Sequence, residues 1–120
     1  MNNSLSAKIL KSDDALAFAV GHVDGEPNVC IDIQIVFSSY FENGPLYKNM
    51  YIVVSDETIG YQAEICVVLD TWIPRADLFL NDFLSNPIAK NSLLKTILIT
   101  LEKIRVFKKF DTAKSRKSFK

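Results

Sequence analysis

The stretch Val29-Cys30-Ile31-Asp32-Ile33-Gln34-Ile35-Val36-Phe37 decides the fold class. Every odd position is apolar, and Cys30, Asp32 and Gln34 fall between them. A period of two turns one set toward a core and the other toward solvent, as in a strand covered on one side. Residues 61–69 repeat the pattern: Tyr61, Ala63, Ile65, Val67 and Leu69 point one way, and Gln62, Glu64, Cys66 and Val68 the other. A helix would scatter either set around its circumference.

Outward from these two strands, Met50-Tyr51-Ile52-Val53-Val54 is apolar on both faces, which predicts a central strand. Asp56-Glu57-Thr58-Ile59-Gly60 is the turn that joins 49–55 to 61–69 as an antiparallel hairpin, and Phe41-Glu42-Asn43-Gly44-Pro45 is a second turn upstream. Residues 15–23 alternate large (Leu16, Phe18, Val20) with small (Ala17, Ala19, Gly21) and read as a strand ended by Asp24-Gly25-Glu26-Pro27. Residues 6–10 add a short edge strand, giving a meander of four or five.

The period then changes. Pro74 suits a first helical turn, Asp77 complements the positive helix end, and Ala76, Phe79, Leu80, Phe83 and Leu84 keep the i, i+3, i+4 spacing of one buried stripe. This predicts a helix over 74–85, stopped by Asn86-Pro87. From 92 to 109 two readings compete. Leu94, Ile97, Leu98, Leu101 and Ile104 form a helical stripe, whereas the β-branched Thr96, Ile97, Ile99, Thr100, Ile104 and Val106 suit a strand. The stripe favours helix. The expected class is α+β: an antiparallel sheet of four or five strands packed by one or two C-terminal helices. Residues 1–110 form a single domain and 111–120 a basic flexible tail.

At 120 residues the chain is one domain by length, and 48% apolar and 23% charged residues exclude a wholly disordered polymer. The start, MNNSLSAKILKSDD, lacks the apolar region of a secretory signal, and no apolar run is long enough to span a bilayer, so a soluble cytoplasmic protein is expected. Charge is sorted by position. Residues 1–89 hold four bases against twelve acids, and residues 90–120 hold ten bases against two acids. The zero net charge therefore conceals an acidic body joined to a basic end, which bears on what each surface attracts.

No residue set carries a catalytic or cofactor signature. His22 is the only histidine, with Asp24 as the only local orienting partner and no nucleophile motif nearby, so it reads as a surface residue at a strand end. Cys30 and Cys66 are too few and too separated for a zinc site; as strand residues of one parity they either share a sheet face, even as neighbours, or simply pack as small thiols. Asp32 and Glu64 would do acid–base work only if adjacent with separated pKa values. Together with Gln34 and Gln62 they instead make an acidic, hydrogen-bonding sheet face suited to a cationic protein. Trp72, beside Asp70 at the strand-to-helix junction, either anchors such a partner or roofs the helix–sheet contact. Tyr40, Tyr47, Tyr51 and Tyr61 are further aromatic anchors. The basic end, from Lys103 to Lys120, reads as a solvated helix end or as a contact for phosphates of nucleic acid or anionic lipid. Because the acidic body repels nucleic acid, any such contact is confined to the tail.

The stretch 60–69, Gly-Tyr-Gln-Ala-Glu-Ile-Cys-Val-Val-Leu, followed by 76–84, Ala-Asp-Leu-Phe-Leu-Asn-Asp-Phe-Leu, resembles the strand-then-helix core of small bacterial immunity proteins of contact-dependent and wall-associated toxin systems. That resemblance implies a cytoplasmic, enzymatically inert protein, with no cofactor, that neutralises a partner toxin by direct binding. The residues proposed for partner binding (Asp32, Gln34, Gln62, Glu64, Asp70 and Trp72) come from the strand pattern and the charges, and the partner they imply is a cationic toxin domain.

Overall fold

Five strands in chain order, β1 (Leu5–Ser12), β2 (Ala17–Val23), β3 (Glu26–Ser38), β4 (Tyr47–Asp56) and β5 (Tyr61–Val68), pair antiparallel as one meander, and two helices, α1 (Ala76–Ser85) and α2 (Pro87–Ser118), follow. The structure, a computed structural model, describes residues 4–13, 16–38, 47–69 and 75–118. The class is α+β, with both helices packed on one face of the sheet.

The period-two sets of the sequence set the faces. Val29, Ile31, Ile33 and Ile35 of β3 and Met50, Ile52 and Val54 of β4 are buried under Ala76 and Leu80 of α1 and Leu93, Leu94, Ile97, Leu101 and Ile104 of α2. On β2 the small residues face this core. Ala17 and Ala19 are fully buried, and a Cβ on Gly21 would stand 3.1 Å from the Ser6 carbonyl oxygen. Phe18 and Val20 consequently point to the other side of the sheet.

Several boundaries differ from the sequence reading for identifiable reasons. The turn after β2 is only Asp24-Gly25: Val23 pairs with Glu26, Gly25 takes φ 84°, and Glu26-Pro27 already belongs to β3. Glycine adopts that left-handed conformation without steric cost. The strand expected to be central, β4, is interior, but β3 is the middle strand; the apolar residues on β4's second face lie open instead of under a helix. The turn at 41–45, Tyr40, Pro74 and the junction residues Asp70 and Trp72 lie outside the described residues.

Residues 92–109 are helical, and α2 is longer than expected at both ends. Asn86-Pro87 starts α2 as well as ending α1. The Asn86 Oδ1 accepts the N–H groups of Ile88 (2.9 Å) and Ala89 (3.2 Å), and Pro87 occupies the first helical position, where it needs no N–H donor. At the other end the expected tail begins as helix, to Ser118. Lack of an apolar period only means that a segment is not packed; with no glycine or proline after 110, an established helix propagates. The threonines fit because their hydroxyls donate to carbonyls one turn back, Thr96 to Ser92 (3.2 Å) and Thr100 to Thr96 (2.8 Å).

Beyond Ile104, polar contacts hold α2 to the sheet. The Arg105 guanidinium donates to Glu26 Oε2 (2.8 Å) at the start of β3 and through Nε to Asp56 Oδ2 (3.0 Å) at the end of β4. Asp56 is 3% exposed and also accepts the Thr58 N–H at 3.0 Å. One helical turn on, Lys108 Nζ lies 5.2 Å from the centre of the Tyr61 ring, whose hydroxyl donates to Asp111.

Burial pushes the Asp56 carboxyl up, but Arg105 and the Thr58 N–H outweigh it and hold the group below its ordinary value. Arg105→Ala is expected to cost about 2 kcal/mol at neutral pH by leaving that carboxylate without its guanidinium. Since the folded value lies below the unfolded one, the Asp56 contribution is complete above about pH 4 and is lost as pH falls through the folded value. Urea denaturation at neutral pH and near about pH 3 checks this: the gap between wild type and R105A narrows in acid.

Candidate functional site

The sheet face opposite the helices carries Asp32, Gln34, Gln62, Glu64 and Tyr51, whereas Tyr61, also read as an aromatic anchor, is turned to α2 instead. Strand register arranges that face in rows. One runs Lys8, Val20, Asp32, Val53, Glu64 across all five strands, and the next runs Lys11, Phe18, Gln34, Tyr51, Cys66. A third places Ser55 between Cys30 and Gln62. Charged and apolar side chains therefore alternate along the first row. Where the two rows meet, Phe18, Asp32, Gln34, Tyr51, Val53 and Glu64 line a shallow depression of ≈ 290 Å³.

Asp32, Gln34 and Glu64 are thus brought together, while Gln62 lies exposed on the same face, one row beyond the depression. Asp70 and Trp72 are outside the described residues. Sequence reasoning missed the apolar half of the site, Phe18 and Val53, and treated Tyr51 only as one tyrosine among several. The available signal was the large–small alternation of β2: if Ala17, Ala19 and Gly21 fit under a helix, Phe18 and Val20 must face the other way.

Tyr51 is half-buried, and its phenol oxygen accepts a hydrogen bond from Asn49 Nδ2 at 3.4 Å; Asn49 is itself 2% exposed. The ring is therefore held from its own strand where it lines the depression. Asp32 and Glu64 are each register partners of Val53 from opposite sides, so their Cα atoms stand two strand spacings apart, about 9.6 Å. They are not the abutting pair that shared-proton chemistry needs. Instead they flank an apolar floor, an arrangement that can receive one cation between two carboxylates. The charge is graded across the face: carboxylates occupy β3 and β5, whereas Lys8 and Lys11 occupy the β1 edge.

His22 pairs with Ser6 at the β1–β2 edge and is exposed, away from the depression. Among the described residues, no three His, Cys, Asp or Glu side chains are grouped as a metal site. The two thiols share the open face, as their parity required, but they are not neighbours. Cys30 lies in the Ser55 row and Cys66 in the Tyr51 row, two strands across and four residues along, about 16 Å apart. The Cys30 thiol points to Glu57 Oε1 at 3.7 Å. Burial pushes its pKa up, and the Glu57 and Asp32 carboxylates push it further.

No protein-family model, curated relative or solved structure matches the chain.

Because the thiolate is the reactive form, the exposed Cys66 is expected to react with a water-soluble disulfide reagent well before Cys30. Mild oxidation of the folded protein should leave both thiols titratable. Recovery of an intramolecular Cys30–Cys66 disulfide from native protein would contradict the strand register.

Proposed function

We propose that this domain is a non-catalytic protein-binding module, most specifically an immunity-type inhibitor that neutralises a cationic toxin domain by occluding it. One observation carries the reading: a sheet face left open among the described residues gathers two half-buried aromatic rings, Phe18 and Tyr51, and the carboxylates of Asp32 and Glu64 around one depression. Interfaces derive most of their energy from such partly enclosed aromatic anchors, and charge at the rim governs steering and choice of partner. A lysine or arginine of the partner would lay its stem on Val53 and the rings and set its charge between the two carboxylates. If the partner is a nuclease, Asp32 and Glu64 would stand in its basic cleft where substrate phosphates bind. Inhibition of this kind is steric and involves no turnover.

A second reading, an adaptor or nucleic-acid-associated accessory protein, is favoured by the basic helix that continues to Ser118, beyond the Tyr61–Asp111 contact. Affinity capture at low and high salt, followed by titration of the captured partner, separates the two. The inhibitor reading expects a basic protein bound one to one. Asp32→Lys with Glu64→Lys should weaken its affinity roughly 100-fold, at about 1.4 kcal/mol for each reversed contact. Undiminished affinity in that double variant would sink the surface proposed here. Removal of residues 112–120, which spares the Asp111–Tyr61 contact, should leave toxin binding intact but abolish a nucleic-acid association.

A further inference from the structure

We propose that the outward ridge of α2 docks on an anionic lipid surface, with the helix axis lying in the plane of the membrane. The helix carries two apolar stripes on opposite sides. The inner one, Leu94, Ile97, Leu101 and Ile104, is buried against the sheet. At about 100° per residue, Ile99, Val106 and Phe110 fall in one narrow arc roughly opposite Ile97 and Ile104. They are 56%, 57% and 75% exposed, and Phe107 on their shoulder is 70% exposed. Single apolar residues at a surface need no explanation, but four aligned on one side of a helix and ending in two phenylalanines do.

The charges on and beside this ridge are three lysines and one acid. Lys103 lies within it, and Lys95 and Lys109 flank it, all three exposed. Glu102 is the acid on this side, because Asp111 is turned inward to Tyr61. Arg105 and Lys108 are likewise committed to the sheet side, to Glu26, Asp56 and the Tyr61 ring. The outward lysines take no part in those fastenings.

Charge and apolarity together select the occupant. A second copy of the chain would set one ridge with three lysines and a single acid against another, and the excess of like charge opposes that pairing. A nucleic acid would satisfy the lysines but leave Ile99, Val106 and Phe110 in water. A bilayer with anionic head groups takes both: the apolar side chains enter the acyl boundary while the lysine stems reach up to the phosphates. No helix among the described residues is long and apolar enough to cross a membrane, so α2 would lie on the surface. Docked this way, the sheet face bearing Asp32 and Glu64 points away from the lipid. The proposal does not rest on the partner-binding reading, and either can fail alone.

Co-sedimentation of the full chain with vesicles tests it, using phosphatidylglycerol mixed with phosphatidylcholine against phosphatidylcholine alone. Wild type should sediment with the mixed vesicles only, and less as salt rises. Lys103→Gln with Lys109→Gln should weaken binding about 25-fold, fivefold for each lysine at the surface. Phe107→Ser with Phe110→Ser should weaken it at least about tenfold. Both pairs are exposed, so far-UV circular dichroism should show unchanged helix content. The proposal is overturned if wild type fails to sediment with the mixed vesicles at low salt, if it binds both vesicle types equally, or if the phenylalanine variant binds like wild type.

Discussion

The structure depends on closing one face of a five-stranded sheet. Ile31, Ile33, Ile35 and Ile52 are buried essentially completely, and what covers them is Leu80 of α1 and Ile97 and Leu101 of α2. Side chains of this size contribute about 2 kcal/mol each when fully removed from water, so the sheet cannot leave that face wet. Both helices come after the last strand, and both are spent on the same task. The opposite face, among the described residues, is left open. A site on that face is thus a consequence of how the core is covered, and its aromatic content follows from the same constraint. The small side chains of β2 are on the helix side, where a Cβ on Gly21 would crowd the Ser6 carbonyl, and this turns Phe18 outward beside Tyr51.

The sorting of charge along the chain becomes a sorting across the thickness of the molecule. A basic segment trailing from the fold would let its lysines wander over the acidic surface. Instead Arg105 bridges Glu26 and Asp56, and Asp111 accepts from Tyr61, so that α2 is fastened to the sheet past the end of its apolar stripe. A helix of 32 residues is about 48 Å long, and its direction is fixed by these contacts. Lys95, Lys103 and Lys109 and the exposed phenylalanines then face away from the carboxylates of the open sheet. One molecule can in this way present two surfaces of different chemistry without one neutralising the other.

Several features were legible in the residues because they depend on local geometry. The alternations of residues 29–37 and 61–69 identified β3 and β5 and which residues of each share a face, since period two has only one structural meaning over that length. The stripes at 76–84 and 94–104 identified the helices. Asp32, Gln34 and Glu64 were legible as one face because parity is a property of the strand itself. Less legible were the ends of elements. Asn86-Pro87 is both a stop and a start, and the composition of 111–118 tells whether a segment is packed but not whether it is helical.

The sequence by itself determined the α+β class, the strand order implied by tight turns, the two faces of the sheet and the separation of acidic from basic segments. All of these follow from periodicity and composition within a few residues. Only the tertiary structure decided which side chains meet across strands. Register makes Val53 the partner of both Asp32 and Glu64 and keeps Cys30 and Cys66 apart, and register is set by turn lengths and by the irregularity between β2 and β3. It alone also decided which face the helices cover and where Arg105 lands, forty-nine residues beyond Asp56. Such pairings depend on the packing of the whole core, and no local pattern encodes them.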